Sequence, residues 1–369
     1  MKPRIGIDFH VFDGKYQGSR THLIEILTRV VRSASDIDFY IFLDNINTLI
    51  TQYPIFTSKN VKLIQMPYTN SVKRLCYVLP ILQKEYSLDL LHSQYIMPIP
   101  SLSPSVVTIH DILFESHPQY FKHFFRYRSQ LLVKLSAKRS SHIFTVSEFC
   151  KNELVTRYQI EPKKITVIYN GVDRTKFYPG TSEIEIVEKR GLKSEGYILS
   201  VGRLEPRKNY DNLFAAYAAL GLWAPPLVII GQRDFGYQNA LDLISKLNIN
   251  VKIIEDISDN ELPAIYRHAK LFVYPSYAEG FGIPPLEAMA SGVPVICSNT
   301  TAIPEVTGDA AYTVNPSYPQ QITKAMHEIL SNMSLQLNMS QAGLAQANKY
   351  TWEVAADATL KGYSYALNQ

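Results

Sequence analysis

The 369-residue chain predicts an α/β protein made of two doubly wound domains. Three observations carry that expectation. The length suits two domains of roughly 170–190 residues better than one. Short apolar runs of strand length alternate with helical patterns along most of the chain, as in parallel sheets covered on both faces. The alternation lapses once, at VDRTKFYPGTSEIEIVEKRGLKSEG, residues 172–196, which are polar, charged and weakly periodic. The domains are therefore drawn as 1–178 and 179–352, with a closing helix over 353–369.

In order, RIGIDF reads as the first strand, HVFDGKYQGSR as a loop, and about Thr21 to Arg32 as an amphipathic helix. FYIFL, VKLIQM, LDLLHS, SVVTIH and HIFTVS follow as strands, with helices over Phe121–Arg139 and Ser147–Tyr158. ITVIYN closes this half and NGVD turns the chain. The second half restarts with YILSVG, a loop, a helix over Tyr210–Leu220, PLVIIG, a helix over Tyr237–Leu247, VKIIED and a helix over Asn260–His268. LFVYPS, a loop with Gly280 and Gly282, a helix opened by Pro284 and Pro285 and stopped at Gly292, and VPVICS make the next unit. Ile322–Leu330 and the residues after TWEV are helical patterns. Ligands of open α/β sheets bind beyond the carboxyl ends of the strands, so the two domains are expected to face each other across a cleft there.

Composition narrows the function. Apolar residues make up 46% and the net charge is +4, which does not indicate a nucleic-acid binder. Cys76, Cys150 and Cys297 are the only cysteines and form no C-x-x-C, so neither a disulfide framework nor a zinc site is expected. The start, MKPRIGIDFHVF, has no signal-peptide apolar core, and no apolar run reaches membrane-span length. A cytoplasmic protein is the expectation. Helix Phe121–Arg139 is basic with interleaved aromatics. A solvated face is its default reading, and a peripheral membrane or acceptor contact is the alternative. Asp36 and Asp38 precede their strand, at the end of the sheet away from ligands, and read as a surface turn.

The residues that carry chemistry stand after the strands. The helix opened by Pro284 and Pro285 has an electropositive N-terminus suited to a phosphate. Glu279 lies in the loop before it and Glu287 in its first turn, eight positions on. That spacing rules out a stacked helical pair and points to separate hydroxyl-bearing parts of one ligand. Ribose diol, diphosphate and sugar hydroxyls together describe a sugar nucleotide. The bland readings are a solvated loop glutamate and a favourable first-turn charge. Gly202 follows its strand directly, with Arg203 and Lys208 behind it, a pair of cations able to neutralise a diphosphate. In the first half, Gly14 and Gly18 flank a loop that could offer backbone N–H groups to an anion or be an ordinary turn. His10, His92 and His110 each follow a presumed strand, yet no carboxylate pattern accompanies them, so no metal is expected. DGKYQGSR lacks G-x-G-x-x-G, which argues against a dehydrogenase.

On these residues the chain resembles the retaining glycosyltransferases of glycosyltransferase family 4, which have the GT-B fold. EGFGIPPLE is similar to that family's E-x7-E motif, GRLEPRKN to its diphosphate-binding segment, and VTIHD, SEFCKNEL and IYNGVD to its N-domain landmarks. The resemblance covers most of the chain. It implies that Arg203 and Lys208 hold the donor diphosphate, Glu287 the ribose hydroxyls, and Glu279 the transferred sugar, helped by backbone N–H groups from Phe281 through Gly282 to Ile283. It places His110 beside the sugar, brings the Gly18 loop to the diphosphate, and returns the last helix to the first domain. The pattern departs at QGSR, where the family often has a double glycine.

The implied activity is hexosyl transfer from a nucleoside diphosphate sugar to a hydroxyl of a glycan or lipid-linked acceptor. Configuration is retained, by a front-face route without metal or cofactor. The donor expectation leans to GDP-mannose over UDP-glucose or UDP-N-acetylglucosamine, with the base near Glu255–Asp259. The rival readings are a nucleotide-sugar epimerase and a non-catalytic binding module.

Overall fold

The computed structural model describes residues 2–13, 18–67, 70–234 and 237–368. The chain forms two compact units. Unit 1 comprises Met1–Gly171 with Trp352–Gln369, and unit 2 comprises Val172–Thr351.

Unit 1 is built on seven parallel strands: β1 Arg4–Asp8, β2 Asp38–Leu43, β3 Val61–Gln65, β4 Leu90–Gln94, β5 Ser105–Thr108, β6 His142–Thr145 and β7 Ile165–Val167. Their order is β3-β2-β1-β4-β5-β6-β7. Unit 2 repeats the plan with six: β8 Ile198–Val201, β9 Leu227–Ile230, β10 Val251–Ile254, β11 Leu271–Tyr274, β12 Val295–Ser298 and β13 Tyr312–Val314. Their order is β10-β9-β8-β11-β12-β13. The central strands are buried on both faces, which is why they read as unbroken apolar runs. In each sheet the winding reverses between its first and fourth strands, β1 and β4, then β8 and β11. The loops leaving such a neighbouring pair diverge and open a crevice.

Several sequence expectations change at element boundaries. Part of the expected loop after β1 is a helical turn, His10–Asp13, and the next helix runs Gly18–Ser33. The weakly periodic stretch contains a short helix, Ile184–Lys189. A helix at Met333–Ala347, capped by the Asn332 side chain, follows the one at Pro319–Leu330. Ser147 caps the helix Glu148–Tyr158 by accepting from the Cys150 N–H at 3.1 Å.

The last helix, Trp352–Leu367, belongs to unit 1. Trp352, Ala355, Ala356, Tyr363 and Ala366 are buried in one core cluster with Leu23, Leu27 and Phe144. Tyr363 also donates or accepts a 2.7 Å hydrogen bond with Nδ1 of His92. This element is therefore part of the unit's core and its polar network.

Unit 2 closes tightly where β8 and β9 end. A Cβ built on Gly231 would sit 1.9 Å from the carbonyl oxygen of Gly202. Backbone cannot yield as a side chain can, so Gly231→Ala should destabilise unit 2 by about 2 kcal/mol or more. Chemical denaturation against the wild type measures it; an unchanged midpoint would contradict this account of the β8 loop.

Candidate active site

The two loops at the unit 2 crevice are joined by buried charge. After β8 the chain makes a short turn, Pro206–Lys208, and Asn209 takes a left-handed conformation at φ 61°. The Asn209 side-chain amide donates to the carbonyls of Pro275 at 3.0 Å and Pro316 at 2.7 Å. The Tyr277 N–H donates to the Arg207 carbonyl at 2.9 Å. These bonds fix the turn against the loop that follows β11.

Glu279 stands in that second loop and is only 8% exposed. Arg207 takes one carboxylate oxygen, Nη1 to Oε2 at 2.8 Å, and Lys208 takes the other, Nζ to Oε1 at 2.7 Å. Tyr274, at the end of β11, donates its hydroxyl to Oε1 at 2.9 Å, and Lys208 Nζ also donates to that hydroxyl at 2.6 Å. Arg207 further donates to the Ala278 carbonyl and to Glu205, both at 2.6 Å. The Glu279 N–H reaches Thr301 Oγ1 at 2.9 Å. Burial by itself would push the Glu279 carboxyl up, but Arg207 and Lys208 more than offset it and hold it down at about 2. Burial, only partly countered by Glu279, leaves the Lys208 ammonium below its ordinary value.

Glu287 is the opposite case. It lies on the helix Ile283–Ala290 and is half-buried. Burial, reinforced by Asp259 and opposed by Lys176, pushes its carboxyl up to about 7. The buried Tyr266 hydroxyl interacts with it without completing a regular hydrogen bond. One glutamate is thus a fixed anion and the other is neutral at mildly acid pH.

The helix carrying Glu287 opens at Gly282, whose φ of 102° favours glycine and whose Cβ would meet Ile303. Pro284 and Pro285 occupy its first positions and have no N–H. What this end offers an anion is therefore the macrodipole and the N–H groups of Gly282 and Ile283. The side chain of Phe281 is buried against Tyr350 at 5.8 Å between ring centroids, a packing role.

The structure brings together Lys208 and Glu279 but sets Arg203 apart. Arg203 is partly exposed and pairs with Asp234 at 2.9 Å. Around the expected base-binding segment, Glu255 pairs with Arg233 at 2.8 Å, and Arg190 pairs with Asp256 and Glu261. Arg207 is the residue that sequence reasoning missed. Its only sequence signal is a second cation beside Lys208, which looks the same as a solvated basic loop.

In unit 1, Gly18 is the exposed first residue of its helix, and Gly14 lies outside the described residues. His110 follows β5 and its Nε2 lies 2.8 Å from the Gln94 side-chain oxygen at the end of β4. Its ring meets the edge of His22 at 4.8 Å, and His22 Nδ1 lies 2.7 Å from the Asn170 oxygen. Burial, with His22 and His92 adding to it, keeps His110 well below the usual histidine range. His92 does not follow its strand as expected but lies within β4, held by Tyr363 and by Thr108 at 2.7 Å. His10 pairs instead with the buried carboxylate of Asp8 at 3.0 Å, which Arg74 also grips. The three histidines thus have separate partners, and among the described residues no group of His, Cys, Asp or Glu is placed to hold a metal.

Residues 17–176 match the sequence profile of glycosyltransferase family 4, and residues 182–346 match that of the glycosyl transferases group 1. The chain is similar to the O-antigen chain mannosyltransferase B of Escherichia coli, 32% identical over 71% of this chain and 70% of that protein. It is also similar to the O-antigen chain mannosyltransferase RfbU of Salmonella typhimurium, 34% identical over 63% of this chain and 62% of the relative. Among solved structures, a sucrose-phosphate synthase from Thermosynechococcus elongatus superposes with a TM-score of 0.78 at 19% identity, covering 99% of this chain and 98% of the other. HepE from Anabaena, solved with UDP and glucose, gives 0.78 at 19% over 99% and 100%. At that identity the likeness speaks for the fold.

The protonation of Glu287 has a sign that can be checked. Its folded pKa of about 7 exceeds the ordinary 4.5. Its contribution to stability is therefore full below pH 4.5 and lost as pH rises to about 7. At about 1.36 kcal/mol per unit this amounts to roughly 3 kcal/mol. Glu287→Gln should remove that slope, gaining about this much on the wild type between pH 4.5 and 8 in urea unfolding of the unliganded protein. Parallel stability profiles for the two proteins would refute it.

Proposed function

This chain belongs to the glycosyltransferases of family 4 and group 1, a hexosyltransferase of the GT-B fold, and from that premise we propose that it moves mannose from GDP-mannose to a hydroxyl of a glycan or lipid-linked acceptor, retaining configuration. The mannosyl donor is supported by the names of the two O-antigen mannosyltransferases it resembles. The observation that carries the chemistry is the buried Arg207–Glu279–Lys208 cluster at the crevice of unit 2.

In this reading Lys208 and Arg203 hold the diphosphate. The Lys208 ammonium has three N–H donors, and Glu279 and Tyr274 take two of them, so the third is directed to a phosphate oxygen. Arg203 exchanges Asp234 for a second oxygen, and Gly202 lets the backbone come close. Glu287, carrying a proton, donates to one ribose hydroxyl and accepts from the other. Glu279, with backbone N–H groups from Phe281 through Gly282 to Ile283, receives the sugar hydroxyls as a fixed acceptor. His110, kept neutral, hydrogen-bonds the sugar, and the Gly18 backbone contributes to anion binding.

The bond from the sugar C1 to the β-phosphate oxygen breaks, and the acceptor oxygen bonds to C1 on the same face. The acceptor proton passes to the departing phosphate oxygen. Negative charge grows on that oxygen, where fixed cations and a helix N-terminus stabilise it without reorganising. Protein cations supply the neutralisation that a metal provides in other transferases. Glu279 is committed to its ion pairs and acts as a grip on the donor rather than a proton shuttle.

Two variants separate the roles. Lys208→Ala should lower kcat by about 10²-fold or more. Since it too strips buried Glu279 of a cation, it should also lose stability, so its turnover is read on protein shown to be folded by circular dichroism. Arg207→Ala should cost about 3–5 kcal/mol of stability, because it strips a buried carboxylate of a partner. Turnover near wild type in Lys208→Ala would defeat the phosphate assignment.

The donor is tested by supplying GDP-mannose, UDP-glucose and UDP-N-acetylglucosamine with a lipid-linked glycan acceptor and reading nucleotide release and the product anomer. GDP release with an α-linked product is expected. UDP release, or inversion, would overturn the donor or the stereochemical reading respectively.

A further inference from the structure

At the end of β4, unit 1 buries an amide that its packing does not satisfy. Gln94 is only 4% exposed. Its Oε1 lies 2.8 Å from Nε2 of His110, while its own Nε2 is enclosed and has no hydrogen-bond partner among the described residues. An unpaired buried amide is costly, and an apolar side chain of the same length would fill the space without that cost. Packing alone gives no reason for an amide at this position. The bond to His110 is what the amide supplies.

The rest of His110 is held from several sides. The Ile109 N–H donates to the Phe144 carbonyl at 2.8 Å, and the Thr145 hydroxyl donates to the Ile109 carbonyl at 2.8 Å. The Cys150 thiol donates to the carbonyl of His110 itself at 3.1 Å. Tyr95, directly after Gln94, takes a left-handed conformation at φ 60°, and its ring lies 5.5 Å from that of His110. His22 closes another side, edge-on at 4.8 Å. Burial holds both His22 and His92 below the usual histidine range, so His110 is a neutral ring among neutral rings.

A neutral imidazole carries a hydrogen on one nitrogen and a lone pair on the other, and the partner of the first decides the role of the second. An amide oxygen only accepts. Nε2 of His110 therefore carries the hydrogen and donates to Gln94, which leaves the lone pair on Nδ1. Nδ1 makes no hydrogen bond among the described residues, and His110 is half-buried, so this atom is not enclosed as the Gln94 amide is.

We propose that Gln94 is a positioning residue for sugar transfer, holding His110 in the tautomer whose Nδ1 accepts a hydrogen bond from a hydroxyl of the bound sugar. An acceptor at this point selects a ligand group that carries an O–H. It disfavours a carboxylate or carbonyl oxygen, whose lone pairs would face its own. The proposal rests on the sugar contact assigned to His110 above, and its test reads tautomer and turnover separately.

The tautomer is read by nitrogen–proton correlation NMR of the ligand-free full chain, isotope-labelled at histidine, with His110→Asn identifying the His110 signals. In the wild type, Nε2 should be the protonated nitrogen and Nδ1 the bare one. Gln94→Met keeps the side-chain length and removes both polar atoms, so it should show both tautomers and unfold thermally at or above the wild type. With the nucleotide sugar that the wild type turns over, this variant should lower kcat about 10-fold or more and move KM by less than about 3-fold. Hydrogen on Nδ1 in the wild type, or an unchanged tautomer in Gln94→Met, would overturn the proposal and leave the glycosyl-transfer reading intact. A variant that melts well below the wild type would make Gln94 a structural residue and overturn it as well. Unchanged turnover beside a changed tautomer would overturn it by removing the sugar contact of His110.

Discussion

The charge cluster at Glu279 constrains unit 2 more than any other contact. A carboxylate buried to this depth stays ionised only if its lost hydration is replaced by charge and hydrogen bonds. The replacement comes from both sides of the topological switch. Arg207 and Lys208 leave β8, while Tyr274 and Glu279 leave its neighbour β11. The cluster therefore ties together two loops that the sheet's winding drives apart. Glu205 and Glu279 together balance Arg207 and Lys208, so the resting network is nearly neutral. What the network leaves uncommitted at this crevice is one ammonium N–H of Lys208, and Arg203 stands more exposed beside it.

Unit 1 uses the same winding for different chemistry. At its switch, between β1 and β4, a buried carboxylate is again held by an arginine, Asp8 by Arg74, with His10 as the second partner. His10 and Arg74, working against burial, keep Asp8 well below the usual carboxylate range. Around it the histidines His22, His92 and His110 are held neutral by burial. The first unit thus offers uncharged hydrogen-bonding rings where the second offers fixed charge.

The sequence by itself determined the element plan, because doubly buried strands must be apolar runs and helices must keep their 3.6-residue period. It also placed Gly202, Lys208 and Glu279 in loops after strands, and Glu287 on the helix that follows, at the carboxyl end where any such sheet opens a crevice. Tertiary structure alone decided what each charge does. Arg207 and Lys208 are adjacent in sequence and equally basic, yet only folding shows both reaching for Glu279 while Arg203 turns to Asp234. Glu279 and Glu287 read as a matched pair, and burial with two cations against burial beside Asp259 sets one at about 2 and the other at about 7. His22 lay hidden in a helical pattern. The reason is common to all of these. Periodicity and turn chemistry are local and visible along the chain, whereas ionisation, pairing and exposure depend on neighbours brought in from distant sequence.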